Sequence, residues 1–386
     1  MHPASPLRNC NFPDDGIGQP VESAHYTLRA NPPPSYTSAQ GPSLHWREPE
    51  NNTCTYDPHG GIHVVTACTL NHVEEVLDMI GSLQSMWTSR RNPGPAHKDK
   101  LHLHIFLLSD DVPQDVIDTY LTAACDIEVT VQAFDYSWLG FKDHDLTETV
   151  YNRILGLTNS LWKPTAIHRV VKEVGPCQVV FWCDASVRFG PAFSKTRVWD
   201  SVALNNGLAI TNEWPGYLYV FRETIPVITH PMTFKMLNRL TRGRVSANMH
   251  DYEGVPSYAA SFQIWYTGNE VVMQIMEDWA NCALVKECMA PEGASGFTGF
   301  GECKMDYEGH CQYAALAILA YEYVKLINEA GLGRGRTDGQ RLLPDLKKRV
   351  NGKQLVSIEK SHRQRPPRFC NHAGFEIQLP RMSMEN

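Results

Sequence analysis

The chain has 386 residues, enough for one large α/β domain or two smaller ones. Hydrophobic residues make up 42% and charged residues 20%, which excludes wholesale disorder. The formal net charge of −7 excludes a general attraction to polyanions, so nucleic acid is not an expected partner.

Residues 1–58 are rich in Pro, Ser, Asn and Gly, include Pro32-Pro33-Pro34, and hold no sustained period. They read as a leader or linker. The start at Met1–Pro20 lacks the basic-then-apolar profile of a secretory signal, and no apolar run reaches the ~18 residues needed to span a bilayer. The main domain is expected over 59–332. Ile62–Ala67 is a short β-rich run. Val73, Val76, Leu77, Ile80 and Leu83 then recur at helical spacing and predict a helix over 73–86. Leu101–Leu108 predicts a second strand, closed by Ser109-Asp110-Asp111, and residues 112–124 a second helix. Ile127–Phe134 predicts a third strand. Helices are expected over 147–157 and 162–173, before the strand Gln178–Cys183. This alternation argues for an α/β fold with a mostly parallel sheet flanked by helices.

Gln178–Cys183 is nearly continuous in apolar residues, as expected of a strand buried on both faces. It stops at Asp184-Ala185-Ser186. Open α/β sheets bind ligands at the carboxyl ends of their strands, so Asp184 is a candidate functional residue. Its carboxylate and the Ser186 hydroxyl can face one side if the segment is extended. Beyond this turn, strands are expected over 207–211 and 261–266. Helices are expected over 233–240, 271–286 and 312–330. A Gly/Cys-rich loop spans 291–309.

The segments Trp162-Lys163-Pro164 and Val179-Val180-Phe181-Trp182-Cys183-Asp184-Ala185-Ser186-Val187-Arg188-Phe189 resemble the GT-A nucleotide-diphospho-sugar glycosyltransferases. The nearest likeness is to a hexosyltransferase-like family with a central W-hydrophobic-D-[TA]-S-[IV]-R-F motif. Ser261–Trp265, Asp278–Leu284 and Cys288-Met289-Ala290-Pro291 extend the similarity in the same order. The resemblance implies a GT-A-like, Rossmann-type sheet in one main domain. It implies transfer of a hexose from a nucleotide-diphosphate sugar, a UDP-sugar first, to a hydroxyl of a glycan, protein or lipid acceptor. A divalent cation, Mn2+ or Mg2+, would offset charge on the departing nucleotide. Secretory-pathway or Golgi residence would also follow, although no signal or anchor is visible.

Residue by residue, the resemblance implies Asp184 and Ser186 as metal ligands, with His310 completing the set. Ser186 stands where an Asp-x-Asp motif has a second carboxylate. Gln312 stands where the family has an acid, and a neutral amide can bind an acceptor sugar but cannot act as a base. His310 can accept a proton near neutral pH. Lys163, or its rival Arg153, would hold the phosphates. Thr66, Ala67, Asp110 and Asp111 end the first two strands, where the nucleoside is expected. Arg188 could instead pair with Asp184 as a structural ion pair. Phe262, Trp265 and Tyr266 could stack on an acceptor sugar or pack in the core. Glu213, Asp251 and Glu253 are further carboxylates that could serve as a base.

Two features bear on other readings. Ser186 and Gln312 also suit a non-catalytic carbohydrate- or protein-binding relative. The segment Thr66-Ala67-Cys68-Thr69-Leu70-Asn71 has no Gly-rich turn, which disfavours a dinucleotide or adenosyl-methionine enzyme. The eleven Cys include Cys282, Cys288, Cys303 and Cys311, whose spacing is not that of a structural zinc site but permits a few bridges. Residues 333–386 carry 12 Lys/Arg against 5 Asp/Glu and read as a basic, partly disordered tail.

Overall fold

The computed structural model describes residues 61–87, 101–109, 112–124, 127–140, 161–189, 193, 198, 208–211, 225–255, 259–289, 291, 311–329 and 356–358. Among them a six-stranded sheet runs in the order β3-β2-β1-β4-β7-β6. Its strands are β1 (Ile62–Cys68), β2 (Leu101–Leu107), β3 (Glu128–Ala133), β4 (Val179–Cys183), β6 (Leu208–Thr211) and β7 (Ala259–Tyr266). The pairings β3·β2, β2·β1 and β1·β4 are parallel, whereas β7 lies antiparallel between β4 and β6. The mixed α/β sheet is therefore mostly parallel on the side that carries the candidate site.

The sheet separates two apolar layers. On one side α1 (Val73–Trp87) and α2 (Gln114–Ala123) cover Ile62, Val64, Leu103, Ile105, Val179 and Phe181. On the other, α3 (Trp162–Val174), α5 (Pro231–Leu240), α6 (Glu270–Ala283), α7 (Lys286–Met289) and α8 (Cys311–Glu329) cover Val65, Phe106, Val180, Trp182 and Trp265. A short α4 (Ile225–Ile228) adds Ile225 to the second layer. Both layers meet β4, whose five residues are all buried. Its lack of alternation is the signature of a strand covered on both faces.

The expected elements recur with small shifts at their ends. The helix expected over 271–286 divides into α6 and α7, which a Cys282–Cys288 disulfide joins. Of the four cysteines singled out, these two bond to each other. Cys303 lies outside the described residues, as does the helix expected over 147–157. Two three-residue strands were not expected. β5 (Val187–Phe189) follows the acidic turn and pairs antiparallel with β8 (Val356–Ile358), which comes from the basic tail. The 1–58 leader and the rest of that tail lie outside the described residues. Among the described residues, no helix is long and apolar enough to cross a membrane.

Phe181 is fully buried, with Phe262 edge-on at 4.3 Å and Phe189 and Phe193 nearby. Phe181→Ala leaves a cavity at the centre of the sheet, so chemical denaturation should register a loss of about 3–5 kcal/mol.

Candidate functional site

Strand order places the site. The chain moves outward from β1 to β2 and β3, then returns to the other side of β1 as β4. The crevice beyond the carboxyl ends of β1 and β4 is therefore a topological switch point, where open α/β sheets bind ligands. Asp184 follows β4 at this edge. Val65 pairs with Trp182, so Ala67 and Asp184, each two positions further on, share one end and one face of the sheet. Thr66 points to the opposite layer and is fully buried, its hydroxyl without a partner among the described residues.

Asp184 is held from two directions. Lys163 Nζ lies 2.8 Å from its Oδ1, and the Trp182 indole N–H donates to the same oxygen at 3.0 Å. The Lys163 side chain is 3% exposed and that of Asp184 is 31% exposed. The ammonium also sits near the Trp162 and Trp182 rings, 5.6 and 5.2 Å from their centroids. Both bonds use Oδ1, and Asp184 Oδ2 has no hydrogen-bond or ion-pair partner among the described residues. Fixed donors on one oxygen thus orient the carboxylate, and the side chain stays partly exposed.

The backbone beyond Asp184 turns sharply. Val187 N–H donates to Asp184 C=O at 2.9 Å, so residues 184–187 form a tight turn instead of an extended segment. The segment is therefore not extended, and both Asp184 and Ser186 stay partly exposed. Arg188 does not pair with Asp184. Its guanidinium meets Asp78 of α1 at 3.2 Å and donates to the carbonyls of Ala185 and Val187 at 2.8 and 3.1 Å. Phe189 N–H donates to Ser82 Oγ at 3.1 Å. Four donors thus lock the turn against itself and α1. Burial, with the neighbouring Asp184 carboxylate second, pushes the Cys183 thiol well up, so it is no nucleophile.

α3 also points at this edge. Leu161 at its start supplies no side-chain cap, and the helix opens at Trp162-Lys163, next to Asp184. The positive dipole end of the helix favours an anion there.

Several expected site residues are not part of this described set. Asp110, Asp111, Arg153, Glu213 and His310 are outside the described residues, and Gln312 is described only as the second residue of the α8 backbone. Phe262 and Trp265 are core, not platforms: Phe262 packs on Phe181, and Trp265 stacks on Trp279 at 5.9 Å. Asp251 accepts from Ser246 and Asn248, and Glu253 pairs with exposed His250. Sequence reasoning missed the Lys163–Asp184 bond and the anchors Trp182, Asp78 and Ser82. A helix preceding a parallel strand begins at that strand's carboxyl edge, and this signal would have brought Lys163 to Asp184.

A second polar set supports the helical layer. Asp278 of α6 is buried, accepts from Tyr323 of α8, and meets Arg244 at 3.5 Å. Burial, above all, raises its carboxyl pKa. Tyr252 donates to Glu322 of α8 at 2.7 Å. These bonds tie α8 to α6 and to the segment after α5.

No protein-family model matches the sequence, and no curated protein does. Among solved structures, the galactosyltransferase LgtC with donor and acceptor sugar analogs aligns at 13% identity, over 57% of this chain and 59% of that one, with a TM-score of 0.29. The present chain thus matches less than two thirds of that protein. Core-mannan synthase A (CmsA/Ktr4) from Aspergillus fumigatus, in its Mn/GDP form, aligns at 8% identity over 71% and 74%, with a TM-score of 0.37. The S. cerevisiae mannosyltransferase Ktr4p with GDP gives 8%, 68%, 67% and 0.36. Superpositions at this level assign no activity to the chain, and the functional reading rests on its own residues.

The Lys163–Asp184 bond makes a direct prediction. Lys163→Met and Asp184→Asn should each lower stability, and the double variant should lose less than their sum by about 1–3 kcal/mol. Denaturant titration of the four proteins measures this coupling.

Proposed function

We propose that the chain is a glycosyltransferase that moves a hexose from a nucleotide-diphosphate sugar, a UDP-sugar first, to an acceptor hydroxyl on a glycan, protein or lipid. The observation that carries this reading is Asp184: an oriented carboxylate, partly exposed, at the switch point of a mostly parallel sheet and beside a helix N-terminus. The ordered GT-A-like segments around it support the same reading.

A departing nucleotide gathers charge on its diphosphate, and the site must offset that charge. Positive potential comes from the opening turn of α3. Lys163 reaches the crevice through Asp184 in this structure, so we assign it first to positioning the carboxylate. Contact with phosphate would require it to leave Oδ1.

Mn2+ or Mg2+ fits the donors present in one specific way. Asp184 Oδ2 and the Ser186 hydroxyl are hard oxygen donors, but they are few. Lys163 already balances the carboxylate charge. A cation there would neutralise the leaving diphosphate and, with so few protein donors, would be held mainly by the nucleotide. His310 and Gln312 belong to this proposal as a further ligand or proton acceptor and as an acceptor-sugar contact.

A non-catalytic glycan- or protein-binding relative is the second reading, and the buried Lys163 partner of Asp184 favours it. The same experiment separates the two. Calorimetry should show UDP or GDP binding that strengthens with Mn2+, and little Mn2+ binding at this site without nucleotide. Nucleotide-sugar hydrolysis should fall roughly 100-fold or more in Asp184→Ala, with folding intact. Glycan binding with neither nucleotide binding nor turnover establishes the second reading.

A further inference from the structure

Three histidines converge at the other end of the sheet. His63 of β1 and His102 and His104 of β2 lie on one sheet face, with each offering a ring nitrogen within 4.8 Å of the other two. His63 Nδ1 lies 3.2 Å from His104 Nε2, and the rings of His102 and His104 stack at 4.0 Å. His63 is level with Val180 of β4, four residues before Asp184, so the cluster stands about 13 Å along the strands from the candidate donor site.

The cluster is built, not incidental crowding on a surface. His104 is 2% exposed, and its Nδ1 has no hydrogen-bond partner among the described residues. Ligation through His104 Nε2 leaves that nitrogen as it is, so it marks how deeply the cluster is buried and is not a ligand atom. The remaining ring nitrogens have supports of the kind that orient metal-binding imidazoles. His102 Nε2 lies 2.7 Å from Thr130 Oγ1, and Gln178 hydrogen-bonds His63. Gln178 is itself fixed by Gly61 N–H at 2.8 Å. A Cβ at Gly61 would come within 2.5 Å of Gln178 Oε1 and 3.0 Å of His63 Nε2, so glycine is what lets these groups close up. Glu128 of β3 is paired in register with His102, and its carboxylate reaches to 3.9 Å from His102 Nδ1.

We propose that His63, His102 and His104 bind a divalent transition-metal ion of the Zn2+ class, joining β1 to β2 at the amino edge of the sheet. Zn2+ takes imidazole nitrogens at about 2.0–2.1 Å in a tetrahedron, which places ligand atoms about 3.3 Å apart. The 3.2 Å between His63 Nδ1 and His104 Nε2 already meets this spacing. Small side-chain rotations bring in His102, and water or Glu128 takes the fourth position. Imidazole donors select Zn2+, Co2+, Ni2+ or Cu2+ over Mg2+ and Mn2+, so this ion is distinct from the one proposed at Asp184. Burial holds the His63 and His104 pKa values down at about 4 and about 3, so both rings are neutral, as metal ligation requires.

The test uses the full chain, stripped with chelator and titrated with Co2+ and then Zn2+. The expected result is a visible Co2+ spectrum of tetrahedral type, displaced by Zn2+, and a raised thermal midpoint. His63→Gln and His102→Gln should each weaken Zn2+ binding by more than the roughly 100-fold that loss of an outer-shell partner brings. Asp184→Ala should retain the wild-type affinity. Absence of Co2+ uptake by the wild-type chain overturns the proposal, as does unchanged affinity in both histidine variants. If those variants fail to fold, X-ray absorption of the Zn2+-loaded wild type decides: three imidazole ligands support the site, and fewer overturn it.

Discussion

The candidate site depends on one contact, the bond from the Lys163 ammonium to Asp184 Oδ1. It ties the first turn of α3 to the end of β4, and the Trp182 indole N–H secures the same oxygen. A lysine this deeply buried is tolerated because a carboxylate answers its charge, while the Trp162 and Trp182 rings flank the ammonium. The same bond helps fix the direction of the Asp184 carboxylate. Removing it would cost both packing and the direction of the carboxylate, so stability and chemistry are coupled at this point.

Around that contact the architecture divides its labour. The two apolar layers hold β4 rigid from both sides. The turn after Asp184 is fixed by Arg188, Asp78 and Ser82 instead of by burial alone. β5 then pairs with β8 in a separate two-stranded sheet. Under the proposed function, the helix opening would favour the diphosphate and the Asp184 carboxylate would meet it through a divalent cation.

The sequence made much of the fold legible. Alternating strand and helix patterns located the sheet, and the unbroken run Val179–Cys183 identified the strand buried on both faces. The alternation in 262–266 correctly divided Phe262 and Ile264 from Trp265. Strand direction was less legible: β7 is antiparallel because of where the chain returns, which local pattern does not encode. Three-residue strands such as β5 and β8 are too short to show a period. For the candidate site, the abrupt Asp after an apolar strand marked the carboxyl end of β4. The partner of Asp184 was not: Arg188, four residues on, is turned toward α1, while Lys163, 21 residues back, is returned by the fold. The histidine cluster was invisible for a similar reason, since His63 meets His102 and His104 only through the β1–β2 register.

The central claim is that the exposed side of Asp184 faces the place where a nucleoside diphosphate binds. It is tested most directly by an NMR titration of the folded chain with UDP and Mg2+, following the indole N–H signals of Trp162 and Trp182. The account predicts saturable shifts of the Trp182 indole, which is bonded to Asp184, and their loss in Asp184→Asn. Saturable UDP binding that leaves the Trp162 and Trp182 signals unmoved would place the nucleotide elsewhere and contradict it.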